Sequence, residues 1–305
     1  MNILDFSTLY TDNESCITHF RKEREKEGIV CKRCSCKDHY WLSSKNQWQC
    51  KSCRFRTTIK SGTIMEDSKF SLLDWYKAIC LITFSKKGIS AKELQRQFDR
   101  KWYKSTWLLF HKIRKAMGNR DSIYQLKGSI ELDDAYITVE TTEKEKKKQK
   151  AGRGTVTHSS ITVMAESTKL ENIETGKRSS HCGYYKMKVT ESQKSTEVNE
   201  IVEKLVDSQT IVFTDKSTSY VDIEKYVEAH YTELSSNETT KTTLKWVHVA
   251  ISNAKRTFNG IYHKINAKYL QNYLDEFCYK LNRRYFGKRL FDRLVVAVAQ
   301  NLVAN

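Results

Sequence analysis

Gly128–Ile137 reads GSIELDDAYI. Apolar and β-branched residues mark it as a strand, yet carboxylates stand at Glu131, Asp133 and Asp134, where a buried strand would carry more apolar side chains. Successive side chains of a strand point to opposite faces. Glu131 and Asp133 therefore share one face and Asp134 takes the other, so only one of the two adjacent aspartates can enter a given site.

Further along, similar short runs follow at Ser159–Ala165, Tyr184–Val189 and Thr210–Thr214, with a helical stretch at Ser195–Val206 before the last. Strands interrupted by helices in this order predict a mixed α/β sheet. The last run, Ile211-Val-Phe-Thr-Asp215, is apolar and ends on an acid. Carboxylates at the ends of neighbouring strands can converge on Mg²⁺, a cation that prefers oxygen ligands. A single Asp at a strand end is more often a turn residue, so the pair carries the argument. Between the first two strands Glu143–Lys150, EKEKKKQK, reads as a solvated loop able to lie on DNA. Ala267–Ala304 is helical, with Leu270, Leu274, Phe277 and Leu281 on one face.

Upstream, Ser71–Met117 has helical spacing: Leu72, Trp75, Ala78 and Ile82; then Ile89, Leu94 and Phe98; then Thr106, Phe110, Ile113 and Met117. Three helices are predicted, with Ser90 and Ser105 as N-caps. Gly88–Met117 reads as two helices joined by a short turn, the pattern of a helix-turn-helix whose second helix enters the major groove. Its exposed side would present Lys104, His111, Lys112, Arg114 and Lys115. An ordinary helical hairpin with a solvated basic face is the competing reading. The nearby Lys86, Lys87, Arg96, Arg100 and Lys101 favour DNA.

Nearer the start, Cys31-x-x-Cys34 and Cys50-x-x-Cys53 make two pairs with 15 residues between them. Each pair offers two thiolates on one side of a turn, and four thiolates in a tetrahedron suit one structural zinc with no open position for chemistry. Lys32, Arg33, Lys37, Lys51, Arg54 and Arg56 surround the pairs. Cys36 and His39 are close enough to compete as ligands, whereas Cys16, Cys80, Cys182 and Cys278 are isolated and read as small buried hydrophobes.

Composition agrees with a nucleic-acid partner. Lys and Arg outnumber Asp and Glu by 53 to 36, a formal charge of +17 in 305 residues. A hydrophobic content of 39% can fill real cores. No apolar run spans a bilayer and the first twenty residues lack signal-peptide character, which predicts a cytoplasmic protein with no membrane partner. In that compartment nine cysteines are not a disulfide framework.

Taken in order, the paired cysteines, GISAKELQRQF, HKIRKAM, GSIELDDAYI, IVFTDKSTSY, GIYHKINAKYLQNYLDEF and KLNRR resemble the insertion-sequence transposases that join an N-terminal zinc ribbon to a DDE-type catalytic domain. The resemblance spans roughly Cys31 to Arg284. It implies a ribonuclease H-like core with the first Asp on the central strand, the second at the end of the fourth and a third ligand on a later helix. Asp133 and Asp215 match the first two by their motifs. The third position departs from the pattern, because Lys245–Arg256, KWVHVAISNAKR, contains no acid. The family's third acid is followed seven residues later by Lys, a spacing that His248 and Lys255 reproduce. Asn253 competes for the ligand role, with Glu276 as a further candidate.

The resemblance implies zinc at Cys31, Cys34, Cys50 and Cys53, and two Mg²⁺ or Mn²⁺ ions at Asp133, Asp215 and His248. It implies a phosphate grip at Lys255 and flanking backbone contacts at Arg283 and Arg284. Terminal inverted repeats and target, both double-stranded DNA, would be the partners, with a homodimer or higher assembly to pair two ends. The expected domains are 1–65, the ribbon with its extension; 66–122, the helix-turn-helix-like module; and 123–305, the catalytic domain with its C-terminal helices. A DNA-binding regulator, an inactive transposase relic and an unrelated metal nuclease remain as alternatives.

Overall fold

A computed structural model describes residues 2–140, 157–171, 178–236, 238–263 and 265–300. The chain divides into two compact units, residues 1–120 with 284–305, and residues 121–283. The charged segment Glu143–Lys150 and the last residues of the tail, including Ala304, lie outside the described residues.

In the first unit, helices α1 (Ile3–Leu9) and α2 (Asn13–Glu27) precede a three-stranded antiparallel sheet of β1 (His39–Leu42), β2 (Gln47–Cys50) and β3 (Arg56–Thr58). Neither helix stands out in the sequence, but both start on capping boxes, at Asn2 with Asp5 and at Asp12 with Ser15. The sheet rests on α2: Trp48 donates its indole N–H to Glu25 at 3.0 Å, and the Arg21 guanidinium lies 4.6 Å from the centre of the Trp41 ring.

Helices α3 (Leu72–Phe84), α4 (Ala91–Gln97) and α5 (Tyr103–Ser122) follow. Ser71 caps α3 and Ser90 caps α4. Ser105 does not cap α5, contrary to the sequence reading. The helix begins two residues earlier at Tyr103, and the Ser105 hydroxyl donates to the Trp102 carbonyl at 2.8 Å within the first turn.

In the second unit, β4 (Ser129–Thr138), β5 (His158–Glu171), β6 (Arg178–Thr190), β7 (Ile211–Asp215) and β8 (Ala229–Glu233) form one mixed sheet in the order β6-β5-β4-β7-β8. The first three strands pair antiparallel, and β7 joins β4 in parallel. Parallel pairing needs a crossover, which α6 (Ser195–Leu205) supplies between β6 and β7. The edge strand β8, parallel to β7, was not legible in the sequence: its exposed run AHYTE has little apolar content.

Further helices α7 (Thr239–Thr242), α8 (Lys245–Ile261) and α9 (Leu270–Asn282) complete this unit, and α10 (Arg289–Ala299) ends the described chain. Alternation along β4 feeds two cores. Ile130 and Leu132 pack with Val198, Val202, Val212 and Tyr220 on one face; Ala135 and Ile137 pack with Val163, Val247, Ala254, Phe258 and Leu274 on the other.

The expected domain 123–305 differs from this division at its C-terminal end, because α10 belongs to the first unit. Phe291 meets the rings of Phe6, Tyr10 and Tyr76, and Leu294, Val295 and Val298 are buried. The helix carries an apolar stripe that α2 and α3 cover. No helix among the described residues is long and apolar enough to cross a membrane.

Candidate functional site

Asp133 lies on the central strand, on the sheet face that α8 covers. Glu131, two residues earlier on the same face, explains how α8 is seated. This helix has no side-chain cap of its own, and its first amides need partners. Glu131 Oε2 accepts the backbone N–H groups of Trp246 at 2.6 Å and Val247 at 3.0 Å. The carboxylate thus sits at the positive end of the helix dipole. Glu131 is only 2% exposed, and burial raises its pKa against the pull of those amides. Sequence reasoning placed Glu131 on this face without finding its role, since its partners lie more than a hundred residues away.

One residue beyond the capped amides, His248 turns toward the strand and brings Nε2 to 3.4 Å from Asp133 Oδ2. Asp133 Oδ1 accepts the Asp134 amide at 2.8 Å. Burial first, and the negative charge of Asp215, raise the Asp133 pKa; the Asp134 amide and His248 oppose them. Asp215 ends β7, where its Oδ1 accepts the Ser217 amide at 3.1 Å. Glu131 pairs with Phe213 in the parallel register, and continuing that register by two residues puts Asp133 level with Asp215 on the same face.

Asp133, Asp215 and His248 are thus directed to one region, but their ligand atoms do not all fall within 4.8 Å of one another. Asp134 points to the opposite core, where burial pushes its carboxyl up to about 6 beside Tyr220.

Lys255 is exposed on α8, two turns beyond His248 and on the same stripe. Asn253, the competing ligand, is five positions on, about 140° around the helix from His248. Glu276 is buried on α9, where its carboxylate accepts the Tyr262 hydroxyl.

Three of the residues expected to face DNA are not on the surface. Arg114 is 1% exposed with its guanidinium 5.5 Å from the Phe110 ring, because α5 buries a broad stripe through Leu109, Phe110, Ile113 and Met117. His111 is also buried, its ring tilted against Trp107, and burial first and Arg114 second lower its pKa to about 3. Arg283 is 5% exposed and pairs with Asp121 at 2.7 Å over the Tyr279 ring. These arginines are internal structural groups in place of the DNA contacts expected of them. Lys112 is half-buried and donates to the Glu66 carbonyl at 2.8 Å. Lys104, Lys115 and Arg284 are exposed.

In the first unit the sulfurs of Cys31, Cys34, Cys50 and Cys53 lie within 4.8 Å of one another, the one group of its kind among the described residues. The Cys31–Cys53 and Cys34–Cys50 sulfur pairs are each 3.5 Å apart. Four sulfurs about 2.3 Å from one ion would stand roughly 3.8 Å apart, so the set fits zinc.

The two turns that carry these cysteines repeat each other. Cys31 N–H donates to the Cys36 carbonyl and Ser35 N–H to the Cys31 carbonyl, both at 2.9 Å; Cys50 to Phe55 and Arg54 to Cys50 do the same at 2.9 and 3.1 Å. Ser35 and Arg54 both adopt positive φ, 57° and 58°. Cys36 and His39 are turned to the backbone of Asp38 and Lys37.

The first unit thus carries a four-cysteine module, and the second a mixed sheet with Asp133 on its central strand and Asp215 at the end of the neighbouring one. The family model for the ISXO2-like transposase domain matches residues 125–282, just over half of the chain, and the protein belongs to that family. Comparison with curated proteins gave no match.

Proposed function

We propose that this transposase binds the terminal inverted repeats of an insertion sequence and cuts and joins DNA at Asp133, Asp215 and His248, with Lys255 gripping a phosphate beside them. The observation that carries the reading is the 3.4 Å approach of His248 to Asp133, on a helix whose N-terminus is held by Glu131. The two aspartates and the imidazole offer oxygen and nitrogen donors suited to Mg²⁺ or Mn²⁺. Together the three residues would hold a pair of such ions. When bound, such a pair lowers the barrier to in-line displacement at phosphorus.

Asp133, Asp215 and His248 would hold the metal ions on the sheet face under α8, and those ions would neutralise the reacting phosphate. Water first displaces the 3′ oxygen from phosphorus, leaving a free 3′ hydroxyl at the element's end. That hydroxyl then attacks a target phosphorus, forms a new P–O bond and releases the target's own 3′ hydroxyl. Pairing two ends calls for a homodimer or larger assembly on double-stranded DNA. Lys104, Lys115 and Arg284 supply phosphate contacts outside the site, one zinc holds the ribbon, and the protein works in the cytoplasm.

The test is incubation of the full chain with terminal-repeat duplex and Mg²⁺ or Mn²⁺. Nicked and strand-joined products are expected. Binding without either product in both metals would leave a DNA-binding regulator or an inactive relic, and nicking without joining would leave a nuclease.

A further inference from the structure

A cleft of about 200 Å³ opens at the far end of β4, with Ile137 and Phe258 as its floor and Thr138, His158, Lys255 and Asn259 around it. It is smaller than the ~300 Å³ at which cavities begin to enclose a drug-sized ligand, so it suits one unit of a longer molecule. The floor is apolar, since both residues belong to the core between α8 and the sheet. The rim is polar and exposed at His158, Lys255 and Asn259. Two strands and a helix fix these groups: Thr138 and His158 are partners in the β4–β5 ladder, and Lys255 and Asn259 stand one turn apart on α8.

The helix links the cleft to the candidate metal site. His248, Lys255 and Asn259 fall within about 20° of one stripe, with rises of about 10 Å and 16 Å from the first to the other two. A DNA strand advances about 3.4 Å per nucleotide in a duplex, so a strand following this stripe reaches the cleft about three to five nucleotides from the reacting phosphate. An apolar floor under a rim of one cation, one imidazole and one amide matches a nucleotide, base inward and phosphate outward. A paired base cannot enter such a recess, whereas an unpaired one can turn in.

We infer that this cleft takes one unpaired nucleotide of the DNA strand that runs through the active site, with His158 on its phosphate, Asn259 on its base and Lys255 on the strand between it and the reacting phosphate. The inference rests on the proposed function, since it assumes that a DNA strand follows α8 from His248.

The probe is a fluorescein-labelled duplex of arbitrary sequence, blunt or carrying four unpaired 3′ nucleotides. Binding to the full chain is measured without added divalent metal, and the readout is the ratio of tailed to blunt affinity. The tail should tighten binding at least about fivefold, and this ratio should fall to about one in both His158→Ala and Asn259→Ala. Lys104→Ala, far from the cleft in sequence and on another helix, should lower both affinities and keep the ratio. A ratio of one in the unaltered protein, or a ratio that survives both cleft substitutions, would overturn the inference. Metal-dependent nicking does not enter this readout, so a failure of the proposed chemistry and a failure of the cleft are seen separately.

Discussion

Glu131 on the central strand and Val247 at the start of α8 are joined by a 3.0 Å hydrogen bond across 116 residues of chain. With the Trp246 amide on the same oxygen, the bond fixes where α8 begins against the sheet, and so where His248 meets Asp133.

Glu131→Ala leaves two helix amides without their acceptor, and stability should fall by about 1–3 kcal/mol in urea titration. Glu131→Gln retains one acceptor and should lose less. If Glu131→Ala unfolds at the same urea concentration as the unaltered protein, the carboxylate does not anchor the helix.

Asp133→Ala and Asp215→Ala should each lower the nicking rate by about 10²–10³, the equivalent of several kcal/mol of charge stabilisation. His248→Ala should be nearly as severe and His248→Glu should retain activity with an altered Mg²⁺/Mn²⁺ preference. Full activity in His248→Ala would remove the imidazole from the site.

Native mass spectrometry should find one zinc per chain, lost in Cys34→Ser. Thiolate ligands must be deprotonated to bind, so the same ion should leave at acid pH. Metal-free protein at neutral pH, with the ribbon intact, would exclude zinc.

Arg283 and Asp121 discriminate an internal ion pair from a DNA contact. Arg283→Ala strands the Asp121 carboxylate in a buried position and should destabilise the protein by about 3–5 kcal/mol. The slope of log affinity against log salt should be unchanged, whereas Lys104→Ala or Lys115→Ala should reduce it by about one phosphate's share.

Asp275 carries a pH dependence. Burial first raises its carboxyl to about 6 from 3.8, against Lys188, Gln271 and Lys186. Between those values the folded state holds a proton that the unfolded state has released, so this residue's contribution to stability falls as pH rises from 3.8 to about 6. Asp275→Asn should flatten that part of the stability profile, measured as urea midpoint against pH. A profile identical to that of the unaltered protein would refute the assignment.

Strand alternation in GSIELDDAYI sorted its carboxylates correctly between two faces, because a period of two depends on nothing beyond the strand. The cysteine spacing was equally legible, since both pairs form their turns locally. Burial on α5 was not. Arg114 and His111 are polar letters on a helix whose wide covered stripe is set by tertiary packing. Arg283 misled for a related reason: its partner Asp121 lies 162 positions earlier, and Arg283 is identical as a letter to the exposed Arg284 beside it. Glu131 had the right face but no visible partner, because a helix cap supplied from another element leaves no local pattern.

Because α10 completes the unit begun by α1 to α5, the order of synthesis differs from the order of folding. At 5–20 residues per second, the N-terminal helices emerge on the order of ten seconds before the helix that covers Phe6, Tyr10 and Tyr76. The sheet unit, contiguous in sequence, can close while those rings are still waiting. Nascent chains halted before Arg289 should therefore expose an aromatic surface to chaperones that the finished protein conceals.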